Sequence, residues 1–188
     1  EKMGVKITGL ADVSKQIDKV MDLSTPLNRS VNRGSRDFKT ITSTEIREKI
    51  NLKKSYVDKG LKTRIKSASQ RDQTIGITVY AQDRGALLSN FMRGKVTRKG
   101  AVIEITKGKP YRIGRAFEIT LKNGVRAVVW RKNKNKAHRN FVTDGAFAIH
   151  GPSPSQIMNQ KRDVIKEKGA KSLAKTLNHN VKRYLDGK

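Results

Sequence analysis

Gly114-Arg115-Ala116-Phe117-Glu118-Ile119-Thr120-Leu121-Lys122-Asn123-Gly124-Val125-Arg126-Ala127-Val128-Val129-Trp130-Arg131 is the stretch on which the fold turns. Phe117, Ile119 and Leu121 alternate with Glu118 and Thr120, the period of a strand with one buried face. Lys122-Asn123-Gly124 then interrupts the pattern. Asn-Gly tolerates positive φ at both central positions of a tight turn, so the chain is expected to reverse there. Val125 to Trp130 is the returning strand. The spacing predicts a hairpin with strands at 116–121 and 125–130 and with Phe117 buried.

Working upstream, Ala101-Val102-Ile103-Glu104-Ile105-Thr106 reads as another strand, followed by the turn-forming Lys107-Gly108-Lys109-Pro110. Thr74, Ile75, Ile77, Val79 and Tyr80 form a further β-rich run, and the helical period is lost from about residue 61. Before that point the period is that of helices. Leu27, Val31, Gly34, Phe38, Ile41 and Glu45 recur at alternating fours and threes, which predicts a long helix over 26–49. Ser24-Thr25-Pro26 is its start, with a hydroxyl to accept orphan amide hydrogens and proline in the first turn. Gly34 and Ser35 on or beside the stripe imply close approach of another backbone. Asn51 is expected to cap a short helix carrying Leu52, Tyr56 and Val57, and Gly60 to end it in the left-handed conformation. At the N-terminal end, Val5-Lys6-Ile7 reads as a strand, and Leu10, Val13, Ile17 and Val20 as one face of a helix.

Downstream, Gly151-Pro152-Ser153-Pro154-Ser155 is loop material. Ile157 to Lys168 is helical, and Leu173, Leu177, Val181 and Leu185 form the narrow apolar stripe of a closing helix. That stripe is expected to face either the rest of the chain or a neighbouring subunit. The order is N-terminal helices, a central antiparallel β-sheet with hairpins, and a C-terminal helix: an α+β plan. No long linker divides it, so residues 1–188 read as a single domain, with a helical part at 1–60, a basic β part at 61–150 and a helical part at 151–188.

Composition narrows the function. The 188 residues include 42 Lys and Arg against 16 Asp and Glu, a formal charge of +26, with 35% hydrophobic and 5% aromatic residues. A core this thin in a chain this basic calls for an anionic partner or a larger assembly. The absence of cysteine removes disulfides, thiol nucleophiles and Cys-type zinc sites. No apolar run is long enough to span a membrane, and the opening residues lack the apolar region of a secretory signal, so no secretory route is expected.

The charge is concentrated. Residues 93–139 hold 15 Lys and Arg against Glu104 and Glu118 alone. One cluster is Arg93, Lys95, Arg98 and Lys99, among glycines. The other is Arg131, Lys132, Lys134, Lys136 and Arg139. Both are placed on loops between strands, where flexible cations reach phosphates without reading sequence. The alternative use of such clusters is as solvated faces that keep the protein soluble. Phe91, Tyr111, Trp130 and Phe141 do not interleave with the cations as a base-stacking platform would, so phosphate contact is favoured over single-strand stacking.

Little points to catalysis. His138, His150 and His179 have no helical partner for a metal pair, and no carboxylate set surrounds the Asn178-His179-Asn180 triplet as a nuclease centre would need. Glu45 and Glu48, and Asp163 and Glu167, are interspersed with cations and read as surface ion pairs. No catalytic residue, metal site or cofactor is predicted.

With these segments in place, the chain resembles the minor tail protein Z family of long-tailed phages, also called tail completion proteins. The match rests on Gly114, Ala116 and Phe117, then Leu121, Asn123 and Gly124, then Val128 and Arg131, in that order. The long helix after Pro26, the basic helix at 51–59, and Leu173, Leu177, Asn178-His179 and Val181 extend it over about residues 5–186. Gly114-Arg115 departs from the Pro-Gly that precedes Ala-Phe in a member of the family, and Gly151-Pro152-Ser153 looks more like related neck proteins.

The resemblance implies structural work at the head-proximal end of the tail, within a head–tail joint through which DNA passes. Its implied partners are the tail terminator, tube, connector and tape measure, further copies of itself in a ring or multi-copy array, and the genome end. The implied place is the virion. Two other readings compete: a ribosomal or nucleoid type of nucleic-acid-binding protein, and a DNA-processing nuclease.

Overall fold

Helix α1, Ser24–Lys49, opens where the Ser24-Thr25-Pro26 signal puts it. The computed structural model describes residues 4–6, 23–69, 74–131, 141–143 and 146–186. The helix 10–20 stripe and Ile7 lie outside them. The stripe of α1 is realised: Leu27, Val31, Gly34, Phe38 and Glu45 are buried, and Ile41 is half-buried. Four of its hydroxyls are satisfied within the helix. Ser30 donates to the Pro26 carbonyl (2.7 Å), Ser35 to Asn32 (2.9 Å), Thr40 to Arg36 (3.0 Å) and Thr42 to Phe38 (2.8 Å). This back-bonding lets a Ser/Thr-rich helix bury Ser30 and Thr42 without orphaned polar groups.

The short helix α2, Lys54–Gly60, begins three residues after Asn51, and the Lys53 carbonyl accepts its first amides. Asn51 is therefore not its cap; its amide donates to the Ile105 carbonyl (2.9 Å). Nor is Gly60 among the positive-φ glycines. The chain leaves α2 directly into strand β2, Leu61–Lys66, so no left-handed reversal is needed.

Two compact units emerge. The first takes the described residues up to Glu45, Asp58–Ala81, and those from Met158 onward. In it, β1 (Gly4–Lys6), β3 (Gly76–Ala81) and β2 form an antiparallel sheet in the order β1-β3-β2, with Ile65 opposite Ile77. Ile77 and Val79 of β3 are buried. The closing helix, α4 (Arg162–Leu185), runs antiparallel to α1 through a ladder of contacts. Asn180 donates to the Ser30 hydroxyl (2.9 Å), Ser172 donates to Asp37 (3.2 Å), and Lys168 pairs with the buried Glu45. Between these polar rungs, Leu173 packs on Gly34 and Phe38 on Gly169. What approaches Gly34 is thus a pair of side chains, Leu173 and Ile77, rather than a backbone. Glu45 also departs from the surface pairing expected of it: its partner is 123 residues away. Glu167 does pair locally, with Lys171 at 2.6 Å.

The second unit holds Ile46–Val57 and Gln82–Ile157. A 3-10 turn, Leu88–Phe91, buries Leu88 and Phe91. Strands β4 (Ala101–Ile103) and β5 (Tyr111–Ile113) pair with each other. Strands β6 (Ala116–Thr120), β7 (Arg126–Arg131), β8 (Phe141–Thr143) and β9 (Ala146–Ala148) form a sheet in the order β6-β7-β9-β8. Its core is Ala127, Val129 and Ala148, flanked by Leu87, Phe117, Ile119 and Leu121. Phe117 is half-buried there rather than fully buried.

The β6–β7 hairpin forms over the expected strands, but a different turn closes it and sets its register, Thr120 opposite Arg126. Leu121 and Val125 close it, the Leu121 amide donating to Val125 (2.8 Å) and the Gly124 amide to Leu121 (2.8 Å). Only Gly124 has positive φ, +76°. The loop is therefore three residues long, a tight turn completed by a left-handed glycine. The Asn123 side chain accepts from the Val125 amide instead (3.2 Å). At the other end of this unit, Ser153 and Gln156 bond reciprocally (3.0 and 3.1 Å), a capping box that starts α3, Pro154–Gln160. Helix thus begins inside the expected 151–155 loop. The whole is α+β, with its strands divided among three small antiparallel sheets.

Candidate nucleic-acid interface

The basic stretch after Phe91 folds as a short meander, in which residues 91–93 bond along one side of β4 and β5 pairs on the other. The Arg93 amide donates to Val102 (2.9 Å), the Glu104 amide donates to Phe91 (2.8 Å), and Met92 bridges Ile103. On the other side of β4, Val102 lies opposite Arg112 of β5. Residues opposite one another in an antiparallel ladder share a face. Arg93, Val102 and Arg112 therefore stand in one row, and Glu104, two residues on from Val102, lies on the same face. The buried Glu104 carboxylate ties this face together, taking Arg93 Nε at 2.8 Å and the Gly108 amide at 2.6 Å.

Both ends of the meander carry cations. At one end, Thr97 and Gly100 close a two-residue turn by mutual backbone bonds (3.1 and 2.9 Å), with Arg98 and Lys99 at its exposed tip. Gly100 has φ +107°, and a β-carbon there would run into the Ile113 carbonyl. This close approach sets the Arg98-Lys99 turn beside the Gly114-Arg115 turn that follows β5. Arg115 has φ +57°, the one non-glycine residue at positive φ among the described residues. At the other end, exposed Lys107 and Lys109 flank Gly108, φ +77°. Tyr111 of β5 is 44% exposed, and partial burial pushes its phenol up from the ordinary value, so it stays uncharged at neutral pH.

The first predicted cluster is thus present and exposed: Arg93, Lys95, Arg98 and Lys99. Lys95, Arg98 and Lys99 have no ion pair among the described residues, whereas the charge of Arg93 is answered by Glu104. Of the second cluster, Arg131 ends β7, and Lys132, Lys134, Lys136 and Arg139 lie outside the described residues. The clusters omitted Lys107, Lys109, Arg112 and Arg115, which the meander adds to the same small surface. Their signal was the charge count over 93–139; what grouped them was the pairing of β4 with β5.

The remaining chemistry is sparse. His150 and His179 are both exposed. His179 lines an open groove of about 360 Å³ with Arg33, Asp37, Ser172, Lys175 and Thr176. Among the described residues, no three His, Cys, Asp or Glu side chains gather where a metal ion could be held, and no helix is long and apolar enough to cross a membrane.

The family model of prophage minor tail protein Z (GPZ) matches residues 7–186. The chain belongs to this family. It is accordingly a structural protein of a phage tail and a component of the virion. Neither the curated proteins nor the solved structures contain a match. In this minor tail protein Z, the residues that carried the resemblance are those that shape the hairpin. Gly114 sits in the turn before β6, and Ala116 and Phe117 open that strand. Leu121 closes the loop, Gly124 takes the positive φ, Asn123 holds the Val125 amide, and Arg131 ends the returning strand. Of the closing stripe, Leu173 and Leu177 are buried within the chain, Val181 is half-buried and Leu185 is 49% exposed.

Proposed function

We propose that this minor tail protein Z acts at the head-proximal end of the tail, where it helps complete the joint to the head and holds the genome end. The observation that carries the reading is a family of tail structural proteins whose member here is charged +26, with its cations gathered on exposed turns. Arg93, Lys95, Arg98, Lys99, Arg131, Lys132, Lys134, Lys136 and Arg139 are the proposed phosphate contacts, and double-stranded DNA is the proposed ligand. The terminator, tube, connector and tape measure are the proposed protein partners. Copies of the chain would meet in a ring or other multi-copy array. The outer end of the closing stripe, half-buried Val181 and exposed Leu185, is the proposed protein contact.

Phage assembled without the protein tests the placement. Filled heads and tails that fail to join, or joined particles that cannot deliver DNA, are the expected result. Normal, infectious particles would overturn it, and so would a labelled copy located at the distal tip. DNA contact is tested on the purified chain with a 30-base-pair duplex of arbitrary sequence. Replacing Lys132, Lys134, Lys136 and Arg139 with Gln should flatten the log–log salt slope by up to about 3–4. An unchanged slope removes these residues from the contact.

A further inference from the structure

We propose that the meander of residues 92–115 is itself a duplex-phosphate platform and that Arg115 is one of its contact residues, kept in a strained backbone conformation for that purpose; this rests on the DNA reading above. Three observations converge on it.

The first is charge. Residues 93–115 contain eight Lys and Arg and one carboxylate, Glu104. All eight cations are exposed, while Glu104 is buried beside Arg93 on the same face. It answers the charge of Arg93 and leaves the other seven cations without an ion pair among the described residues.

The second is placement. Strand pairing lines up Arg93 and Arg112 across the middle. The Gly100 contact with Ile113 sets Arg98 and Lys99 next to Arg115 at one end. With strands about 4.8 Å apart, the rows span about 10 Å, comparable to the width of a duplex groove. Tyr111 is the one large hydrophobic residue exposed on this module. Protein-binding surfaces bury aromatic anchors and are depleted of lysine at their centre, whereas DNA-binding surfaces are strongly cationic and polar. The composition therefore favours a duplex over an acidic protein.

The third is strain. Arg115 occupies the left-handed region at φ +57° in a turn where its side chain is exposed. No hydrogen bond or ion pair of the Arg115 side chain is formed among the described residues to offset that conformation. A strained residue that contributes nothing to packing marks a position held for another use.

The inference makes stability and binding move in opposite directions. Arg115→Gly should raise Tm by about 1–4 °C, since glycine accepts positive φ freely. It should also flatten the salt slope of duplex binding by about 0.9 and weaken binding roughly eightfold at 0.1 M salt, one phosphate contact. Arg115→Lys keeps the charge and should retain the slope. Lys62→Gln removes one exposed charge from β2, in the other unit, and should leave the slope unchanged. An Arg115→Gly protein with wild-type slope overturns the inference while leaving the DNA reading intact. So does a lowered Tm, or an equal loss of slope in Lys62→Gln or in Arg115→Lys. If the wild type shows no salt-dependent duplex binding, the DNA reading and this inference fall together. If poly-glutamate binds and the duplex does not, the platform belongs to an acidic protein.

Discussion

The ring of Phe38 occupies the space that a β-carbon on Gly169 would fill. Helices α1 and α4 approach closely through that absence, and two carbons of the ring stand far inside van der Waals contact of the β-carbon position. Gly169→Ala should therefore destabilise the first unit by about 1–3 kcal/mol despite alanine's better helix propensity. Gly34→Ala is the contrast. Its new methyl group would meet one methyl tip of Leu173, at 2.7 Å, so a smaller shift relieves the contact. That variant should stay within about 1 kcal/mol of wild type, because the helix gains roughly what the contact loses. Urea unfolding of both variants decides; equal costs would mean that Phe38 yields as easily as Leu173.

Glu45 and Lys168 form an unequal pair: the carboxylate side chain is 3% exposed and the lysine 54%. Removing either partner should therefore have different effects. Lys168→Met strands a buried carboxylate and should cost about 3 kcal/mol at neutral pH. Glu45→Met replaces the carboxylate with an apolar chain of similar volume and leaves the lysine free to hydrate, at a cost of about 1 kcal/mol or less. Thermal melts at pH 7 would reverse the ranking only if Lys168, rather than Glu45, were the desolvated member.

Glu104 serves two donors from one buried position, Arg93 and the Gly108 amide. Glu104→Leu removes both bonds and should destabilise the protein by about 2–3 kcal/mol, with faster hydrogen exchange at the Gly108 amide. Arg93→Gln should be milder, about 1 kcal/mol, since the Gly108 bond survives. Exchange at Gly108 unaffected by Glu104→Leu would place the hold on that turn elsewhere.

Gly124 stands in open space with φ +76°. Its requirement is therefore conformational, not steric. Gly124→Val should cost about 1–3 kcal/mol, whereas Gly124→Asn, larger than glycine but tolerant of the left-handed region, should cost under about 1 kcal/mol. Similar losses for both would point to crowding at the loop instead.

Helix α1 was legible because its stripe and its Ser24-Thr25-Pro26 start are local signals that packing does not contradict. The two strands of the β6–β7 hairpin were legible for the same reason, since alternation and the Asn-Gly interruption bound them. The type of turn was not, because Asn-Gly serves a two-residue or a three-residue loop, and the choice depends on how Leu121 and Val125 close it. Strand β2 escaped notice: Leu61-Lys62-Thr63-Arg64-Ile65-Lys66 has few apolar residues, and its pairing with β3 makes it a strand. The candidate surface was half legible. Charge density pointed to the 93–100 loop, but Arg112 and Arg115 joined it only through the ladder between β4 and β5. The strain at Arg115 is a property of backbone angle, to which a residue list is blind, although the departure from Pro-Gly fell at that turn.

The cationic face of β2 has a consequence for crowding. In the order β1-β3-β2 this strand forms a sheet margin, and Lys62, Arg64 and Lys66 all stand exposed on one side of it. Two copies of the chain brought margin to margin would oppose these three charges with the same three, at every second rung. Pairing of this margin with its own copy is thus opposed by charge, however densely copies are packed inside a virion. Only a strand bearing carboxylates at alternate positions would find that margin hospitable.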